Sequence, residues 1–334
     1  MRVEVDSRGN ASLSVVMPVH NAMPYLRESV ASIRRQTFAD FEFAVLDDAS
    51  TDGSSDFLLE QAERDTRIRV ARVDRSLTAV GAANRAVALS SGSLVARMDA
   101  DDVCAPERLE RQLTVFAEDP DVVLVGTLAD GMDPAGRRVR GRDRWRLLRR
   151  SMFPPFPHGS IMIRRDAFDA VGGYREQCRI WHDVDMPLRL SEIGRIVVLP
   201  EPLYRYRYHS DSVTHTRFRE RLGPETDVMW RCLRARREGR SYEDVLRTGG
   251  LGEPPPPVDP AAWAERYTNA LRLWSGEAPL DGPPSRRLDD RIRTAWQRRH
   301  PSSLRALLRL LVAARDRASG LAIRDGRVHE WRYG

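Results

Sequence analysis

Short apolar runs alternate with amphipathic stretches along the first part of the chain. Apolar and β-branched residues form runs typical of β-strands at positions 14–19, 41–46, 68–73, 94–98 and 122–125. Apolar residues at helical spacing follow from about residue 24, from residue 54, over 81–90 and over 106–118. Strands that alternate with helices in this way predict βαβ units on a mostly parallel sheet flanked by helices.

The alternation stops after residue 127. Residues 128–157 are rich in Gly, Arg and Pro, which predicts a loop-rich insertion, and strand character returns at residues 160–163. The run EPPPP at 253–257 predicts a stiff extended linker. Helical patterns follow it at 261–274 and 288–318. The chain is therefore predicted to be an α/β domain followed by a helical appendage.

Arginine supplies the whole basic charge of the chain. All 54 positions counted as Lys or Arg are arginine, and the formal net charge is +6. The absence of lysine excludes mechanisms that need a catalytic lysine. Because arginines also serve on solvated helix faces, this charge does not by itself indicate a nucleic-acid partner, and none is expected.

Hydropathy and cysteine usage favour a cytoplasmic protein. No stretch approaches the ~20 apolar residues that span a bilayer, and the first residues lack the pattern of a signal peptide. Cys104, Cys178 and Cys232 form no CxxC pair, which argues against a disulfide framework and a structural zinc site. The amphipathic stretch at 304–318 predicts either a helix packed on the domain or peripheral contact with the inner face of the cytoplasmic membrane.

Acidic residues follow the fourth predicted strand directly. Asp99 and Asp101 form a DxD string after the run 94–98, at the edge where open α/β sheets bind ligands. In an extended backbone the two carboxylates would lie on one side, roughly 6–7 Å apart. Carboxylates with free positions suit Mg²⁺ or Mn²⁺ bound jointly with substrate phosphates. The alternative is that these carboxylates only cap the helix that follows Pro106. The surrounding motifs therefore decide between a metal site and a helix cap.

That context is a set of motifs in a fixed order. The motifs are residues 15–21 (VVMPVHN), 46–53 (LDDASTDG), 81–85 (GAANR), 98–102 (MDADD), 158–165 (HGSIMIRR), 171–174 (VGGY), 181–190 (WHDVDMPLRL) and 203–209 (LYRYRYH). Together they resemble a family 2 inverting glycosyltransferase of the GT-A fold, over about residues 12–213. The resemblance implies a catalytic domain at 1–213, with a nucleotide-sugar half at 12–127 and an acceptor half at 158–213. Residues 214–334 then form the helical C-terminal region.

The resemblance also implies which residues contact the donor. Pro18 and Asp48 would line the nucleoside pocket, and His20 and Asn84 would contact the same donor. Asp99 would lie by the ribose and the diphosphate. The implied donor is a nucleoside-diphosphate sugar, and we expect it to be linked to UDP.

A metal site follows from the same resemblance. Asp101 would hold a divalent cation, Mn²⁺ or Mg²⁺, with Asp99 beside it and His209 approaching from the closing strand. Arg205 and Arg207 alternate with tyrosines in that strand, so one face can pack while the other offers charge to a phosphate. An ordinary edge strand would show the same alternation.

Asp183 is the predicted general base. A carboxylate at a helix start lies at the positive end of the helix dipole, stays ionised and can take a proton from an acceptor hydroxyl. Two positions depart from the family pattern: His182 stands where Glu is usual, and Pro187 stands where a large aromatic residue is frequent. His182 is therefore an alternative base, and helix capping is the structural alternative for Asp183.

These inferences describe a metal-dependent enzyme that moves a sugar from a nucleoside-diphosphate sugar to an acceptor hydroxyl with inversion. We expect it to act in cell-surface polysaccharide or glycoconjugate biosynthesis, on a glycan, a lipid-linked intermediate or a small molecule. Two alternatives stay open. A nucleotidyltransferase would need a Gly-rich basic loop, and residues 20–23 offer none. A non-catalytic nucleotide-sugar binding protein would not need both Asp101 and Asp183.

Overall fold

The computed structural model describes residues 13–139, residues 156–209 except 177 and 180, and residues 329–330. Its strands are β1 (Leu13–Val19), β2 (Phe41–Asp48), β3 (Ile68–Val73), β4 (Leu94–Arg97), β5 (Val103–Cys104), β6 (Val122–Met132), β7 (Met162–Arg164), β8 (Arg195–Arg207) and β9 (His329–Glu330). Its helices are α1 (Leu26–Arg34), α2 (Ser54–Arg64), α3 (Ala79–Ala88), α4 (Arg108–Glu118), α5 (Arg165–Ala170) and α6 (His182–Leu190), with a 3₁₀ turn at His158–Ser160.

The strands form one mixed sheet. Its order is β3-β2-β1-β4-β7-β6-β8-β5, and β9 pairs with β8. The first four strands in this order are parallel, whereas β7 runs antiparallel between β4 and β6. β6 and β8 are again parallel, and β5 runs antiparallel on β8. The predicted α/β sheet is confirmed, with antiparallel strands inserted in its second half.

The central strands are apolar because the sheet lies inside the molecule. Every residue of β1 is buried except the half-buried Pro18, as expected for a strand covered on both faces. Helix α3 contacts β1 and β2, α2 contacts β3, and α4 contacts β6. In α1 the residues at helical spacing, Leu26, Val30 and Ile33, are buried, which confirms the apolar face that the sequence predicts.

The segment after residue 127 differs from the predicted loop. β6 continues to Met132, because its second half pairs with β8 from Ala129 onwards. Glycines and polar residues in this stretch suggest a loop when read locally. Pairing with the neighbouring strand determines the conformation of this stretch instead, since strand formation depends strongly on pairing context. Residues 140–155 lie outside the described part of the chain.

The C-terminal predictions also fall outside the described residues. They are the linker at 253–257, the helical patterns at 261–274 and 288–318, and the amphipathic stretch at 304–318. Cys232 lies there too, whereas Cys104 and Cys178 are buried and not disulfide-bonded. Every helix within the described segments is too short or too polar to traverse a bilayer.

Candidate active site at the carboxyl edge of the sheet

The loops that follow β1 and β2 are bonded to each other. Asn21 and Ala49 adopt positive φ angles of 48° and 57°, a left-handed backbone that is unfavourable for residues with a Cβ. The Asn21 N–H donates to Ser50 Oγ over 3.0 Å, and the Thr51 N–H donates to Asn21 Oδ1 over 2.8 Å. These bonds hold both loops in a strained conformation at the predicted nucleoside end of the site.

The predicted nucleoside residues Pro18, His20 and Asp48 come together on these two strands. β1 and β2 pair side by side, and His20 Nδ1 donates to the Asp48 carbonyl oxygen over 2.6 Å. The buried Asp48 carboxylate accepts from the Leu77 N–H over 2.7 Å and from Ser76 Oγ over 2.9 Å. The loop after β3 therefore contacts the carboxylate that is predicted to contact the nucleoside.

Asp99 follows β4 and is paired with a buried arginine. Arg97 Nη2 lies 3.0 Å from Asp99 Oδ1, and the Asp99 N–H donates to the Tyr204 hydroxyl over 3.3 Å. Burial raises the pKa of Asp99, the Arg97 charge opposes this rise, and the Asp101 charge adds to it. A Cβ on Gly159 would lie 2.6 Å from Asp99 Oδ2 and 2.0 Å from the Tyr204 hydroxyl. A side chain at this position would therefore displace the Tyr204 hydroxyl and the Asp99 carboxylate.

Asp101 contacts a different partner. Its Oδ2 lies 2.8 Å from His209 Nε2, and the two side chains are 32% and 8% exposed. The His209 ring packs on Tyr25, with ring centroids 4.7 Å apart. No three His, Cys, Asp or Glu side chains among the described residues form a ready-made metal cluster. A metal role for Asp99, Asp101 and His209 together stays a prediction.

Asp102 is the buried anchor of the same turn. Its Oδ1 accepts from the Arg207 backbone N–H over 2.7 Å, and its carbonyl oxygen accepts from Ser29 Oγ over 2.5 Å. Burial raises the pKa of Asp102 well above its usual range, and the charges of Asp101 and Asp99 act in the same direction. Asp102 therefore fixes the turn by hydrogen bonds and favours its neutral form.

Two histidines and a tyrosine form a cluster in the predicted acceptor half. His158 Nε2 and the Tyr174 hydroxyl are hydrogen-bonded over 2.8 Å, and the His158 and His182 ring centroids are 5.1 Å apart. Burial lowers the pKa of His158 well below its usual range, and the charges of Arg97 and His182 add to this effect. His158 is therefore neutral near pH 7.

Asp183 lies in the first turn of α6, beside this cluster. α6 begins at His182, directly after Trp181, so the predicted position of Asp183 at the positive end of a helix dipole is confirmed. Asp183 Oδ1 is buried and has no hydrogen-bond partner among the described residues. Helix capping through this oxygen would give it a backbone N–H partner, so Oδ1 does not cap the helix, and the general-base role of Asp183 stays a prediction.

Comparison with known proteins identifies the family. The family model described as Glycosyl transferase family 2 matches residues 14–175. EpsE of Bacillus subtilis, a candidate glycosyltransferase, is 32% identical over 233 residues, which cover 66% of this chain and 82% of EpsE. The chain belongs to glycosyltransferase family 2. Membership confirms the predicted enzyme class, so the nucleotidyltransferase and the non-catalytic binding protein are set aside.

Other relatives of this glycosyltransferase are longer proteins. The O-antigen biosynthesis protein RfbC of Myxococcus xanthus is 35% identical over 204 residues, which cover 58% of this chain and 16% of RfbC. A chondroitin synthase of Escherichia coli is 27% identical over 205 residues, which cover 60% of this chain and 30% of the synthase. The matched region is thus a minor part of both relatives.

Two solved structures share the fold. Mannosyltransferase PcManGT from Pyrobaculum calidifontis, solved with GDP-Man and Mn²⁺, has a TM-score of 0.59 at 18% identity over 96% of this chain and 90% of its own. TarS 1–349 of S. aureus, solved with UDP-GlcNAc, has a TM-score of 0.56 at 16% identity over 97% of each chain. At these identities the comparison shows the fold alone, and the predicted GT-A fold is confirmed.

In this glycosyltransferase Asn84 binds the backbone of Tyr174. Asn84 Nδ2 donates to the Tyr174 carbonyl over 2.7 Å, and the Tyr174 N–H donates to Asn84 Oδ1 over 2.9 Å. The preceding Gly173 has a φ of 65°, and a Cβ there would lie 3.0 Å from Asn84 Oδ1. These bonds fix Tyr174 against α3, and the donor contact of Asn84 stays a prediction.

A buried ion pair within α6 supports the same turn. Arg189 Nε and Nη2 donate to Asp185 Oδ2 over 3.0 and 2.6 Å. Arg189 Nη2 also donates to the Gly173 carbonyl over 2.7 Å. The helix that carries Asp183 is thereby bound to the turn that precedes Tyr174.

The sequence motifs do not reveal the buried groups that hold the carboxylates. Arg97 is an arginine inside an otherwise apolar strand, and that anomaly is the signal that would have identified it. Tyr174 and Tyr204 carry no such signal, because buried aromatic residues are common. Arg207 does not offer its charge to a phosphate, as the alternation in the closing strand suggests. It is 1% exposed and pairs with Glu28 of α1.

Proposed function

We propose that this glycosyltransferase moves a sugar from a nucleoside-diphosphate donor to an acceptor hydroxyl, with inversion at the anomeric carbon. The loops after β1 and β2 take the nucleoside. Asp101 and His209 hold a divalent cation at the diphosphate. Asp183 removes the proton from the acceptor hydroxyl.

The observation that carries this proposal is that the turn His158–Ser160 lies next to Asp99 and to the residue before Asp183. A Cβ on Gly159 would lie 2.6 Å from Asp99 Oδ2, and the ring centroid of His158 lies 5.1 Å from that of His182. The carboxylate on the donor side and the proposed base therefore border the same turn. Sugar transfer requires such an arrangement, because the base and the leaving diphosphate must flank the same anomeric carbon.

The side chains at Asp101 fit a cation that is held partly by the substrate. Asp101 offers a carboxylate oxygen and His209 an imidazole nitrogen, 2.8 Å apart. A carboxylate with free coordination positions suits Mg²⁺ or Mn²⁺ bound jointly with phosphate oxygens. When bound, the cation would neutralise the charge that develops on the leaving diphosphate.

Asp183 performs the proton transfer in this mechanism. Its carboxylate accepts the proton of the acceptor hydroxyl while the hydroxyl oxygen bonds to the anomeric carbon. The bond from that carbon to the diphosphate oxygen breaks on the opposite face, so the configuration inverts without a sugar bound covalently to the enzyme. The ion pair of Arg97 with Asp99 reduces the repulsion between Asp99 and the diphosphate.

We further propose a UDP-sugar donor and an acceptor in polysaccharide or glycoconjugate biosynthesis. TarS was solved with UDP-GlcNAc and PcManGT with GDP-Man, so proteins of this fold bind donors that carry either uracil or guanine. RfbC is named an O-antigen biosynthesis protein, and another relative is a chondroitin synthase. These names support a glycan or a lipid-linked glycan as the acceptor.

A panel of nucleotide sugars tests the proposal. A ligand that binds the folded state raises the melting temperature, and we expect one UDP-sugar with Mn²⁺ to raise it by about 5–10 °C at saturating concentration. The stabilising donor is then offered to glycan acceptors, and NMR reads the anomeric configuration of the product. If no nucleotide sugar stabilises the protein, donor binding is refuted. A product with retained configuration refutes the inverting mechanism alone.

A further inference from the structure

We propose that Arg207 is the positioning residue that sets Asp101 and His209 for the divalent cation. The inference rests on the proposed function, because it concerns the same site. Arg207 is the last residue of β8, and His209 follows it by two positions. This position lets one side chain act on both candidate ligands.

Arg207 binds the acidic turn through its side chain and its backbone. Its Nε donates to the Asp101 carbonyl over 2.7 Å, and its backbone N–H donates to Asp102 Oδ1 over 2.7 Å. The two bonds hold consecutive residues of the turn. The peptide that carries the Asp101 side chain is therefore fixed as long as Arg207 stays in place.

Three further contacts fix the guanidinium itself. Nη2 lies 2.5 Å from Glu28 Oε2, Nη1 donates to the Pro134 carbonyl over 3.1 Å, and the group lies 4.8 Å from the centroid of the Tyr25 ring. A buried arginine is stable only when its charge and its donors are satisfied. Because both Nη atoms have protein partners, Arg207 acts through Asp101 and not on a phosphate.

Tyr25 connects Arg207 to the second candidate ligand. The Arg207 guanidinium lies over its ring, and His209 packs against the same ring with centroids 4.7 Å apart. His209 Nε2 in turn meets Asp101 Oδ2 at 2.8 Å. Asp101 is thus held at its backbone by Arg207 and at its carboxylate by His209. Groups that orient metal ligands in this way contribute about 10–100-fold to metal affinity.

Calorimetric titration of UDP with and without Mn²⁺ tests the inference. We expect Arg207→Met to weaken the Mn²⁺-dependent affinity about 10–100-fold, and to change the metal-free affinity by less than about threefold. Arg207→Lys should recover part of the loss, because it restores the charge and one donor but not the planar fork. An equal loss with and without Mn²⁺ would show a merely structural role and overturn the inference.

Glu28→Gln keeps the test decisive if the Arg207 variants do not fold. Glu28 is 47% exposed, so its replacement loosens the guanidinium without opening the core, and we expect a loss of about three- to tenfold in Mn²⁺-dependent affinity. Arg138→Gln is the control, because it removes an exposed arginine that pairs with Asp130 of β6. Unchanged Mn²⁺ enhancement in Glu28→Gln overturns the inference. A wild-type protein without Mn²⁺ enhancement overturns the proposed metal site instead.

Discussion

Single side chains hold this site largely by binding backbone groups. Tyr204 accepts from the Asp99 N–H, and Arg207 donates to the Asp101 carbonyl. Bonds of this kind fix the position of an acidic residue without occupying its carboxylate. The side-chain oxygens of Asp99 and Asp101 are left to other partners, Arg97 Nη2 at 3.0 Å and His209 Nε2 at 2.8 Å.

Replacement of Asp183 tests the assignment of the base. Asp183→Asn keeps the shape and polarity of the side chain but cannot accept the proton, so we expect single-turnover transfer to slow by about 10²–10⁴-fold. Donor affinity should change by less than about threefold, because other carboxylates serve the donor. The measurement uses the donor and acceptor that the nucleotide-sugar panel identifies.

His182→Ala is the matched control for this variant. His182 Nδ1 lies 3.2 Å from the Arg179 carbonyl, so that nitrogen carries the proton and the ring is held by the backbone. We expect transfer to slow by less than about tenfold. If Asp183→Asn stays nearly active while His182→Ala is inactive, the general base is His182 and not Asp183.

Whole strands and helices were predictable where their apolar pattern is continuous. The run at 68–73 is β3, and the helix predicted from residue 54 is α2. β6 and β8 both extend beyond their apolar runs, because their outer halves pair with each other. Local composition does not predict that pairing, since strand stability depends on the neighbouring strand.

The junction of α1, α2 and β3 contains a pH-dependent contact. Asp65 accepts from Arg67 Nη2 over 2.8 Å and from Arg34 Nε over 3.2 Å. The Arg67 hydrogen bond lowers the pKa of Asp65 from 3.8 to about 2, against the effect of burial. Because the pKa of Asp65 is lower in the folded state than in the unfolded state, the ionised carboxylate stabilises the protein at pH values above the unfolded-state pKa. This stabilisation is lost as the pH falls from about 4 to about 2.

Asp65→Asn should lower the free energy of unfolding by about 1–2 kcal/mol at pH 7, a value reduced for the partial exposure of both arginines. The difference in free energy of unfolding between Asp65→Asn and wild type should shrink as the pH falls from about 4 towards 2. Urea denaturation at several pH values measures it. Glu63→Gln, an exposed change on α2, should stay within about 0.5 kcal/mol of wild type. A difference that stays constant across this range would contradict the ion-pair assignment.

The whole molecule brings together residues that the local pattern leaves far apart. Asp101 and His209 are separated by 108 positions, and they meet because β8 lies between β6 and β5 in the sheet. Strand order depends on contacts between residues far apart in the sequence. Hydrophobic periodicity gives no information on those contacts. The motif resemblance points to His209, whereas the partners of Arg97 and Arg207, namely Asp99 and the Asp101 carbonyl, emerge only from the assembled structure.

Calorimetric titration of Asp101→Ala tests the central claim most directly, namely that this edge of the sheet binds a nucleoside diphosphate together with a divalent cation. Without the cation, the diphosphate would leave unpaired negative charge beside Asp99 and Asp101. We expect wild-type protein to bind UDP at least about tenfold more tightly with Mn²⁺ than without it. Asp101→Ala should lose this enhancement while its melting temperature stays within about 2 °C, since the side chain is partly exposed. An Mn²⁺ enhancement that survives unchanged in Asp101→Ala would contradict the account.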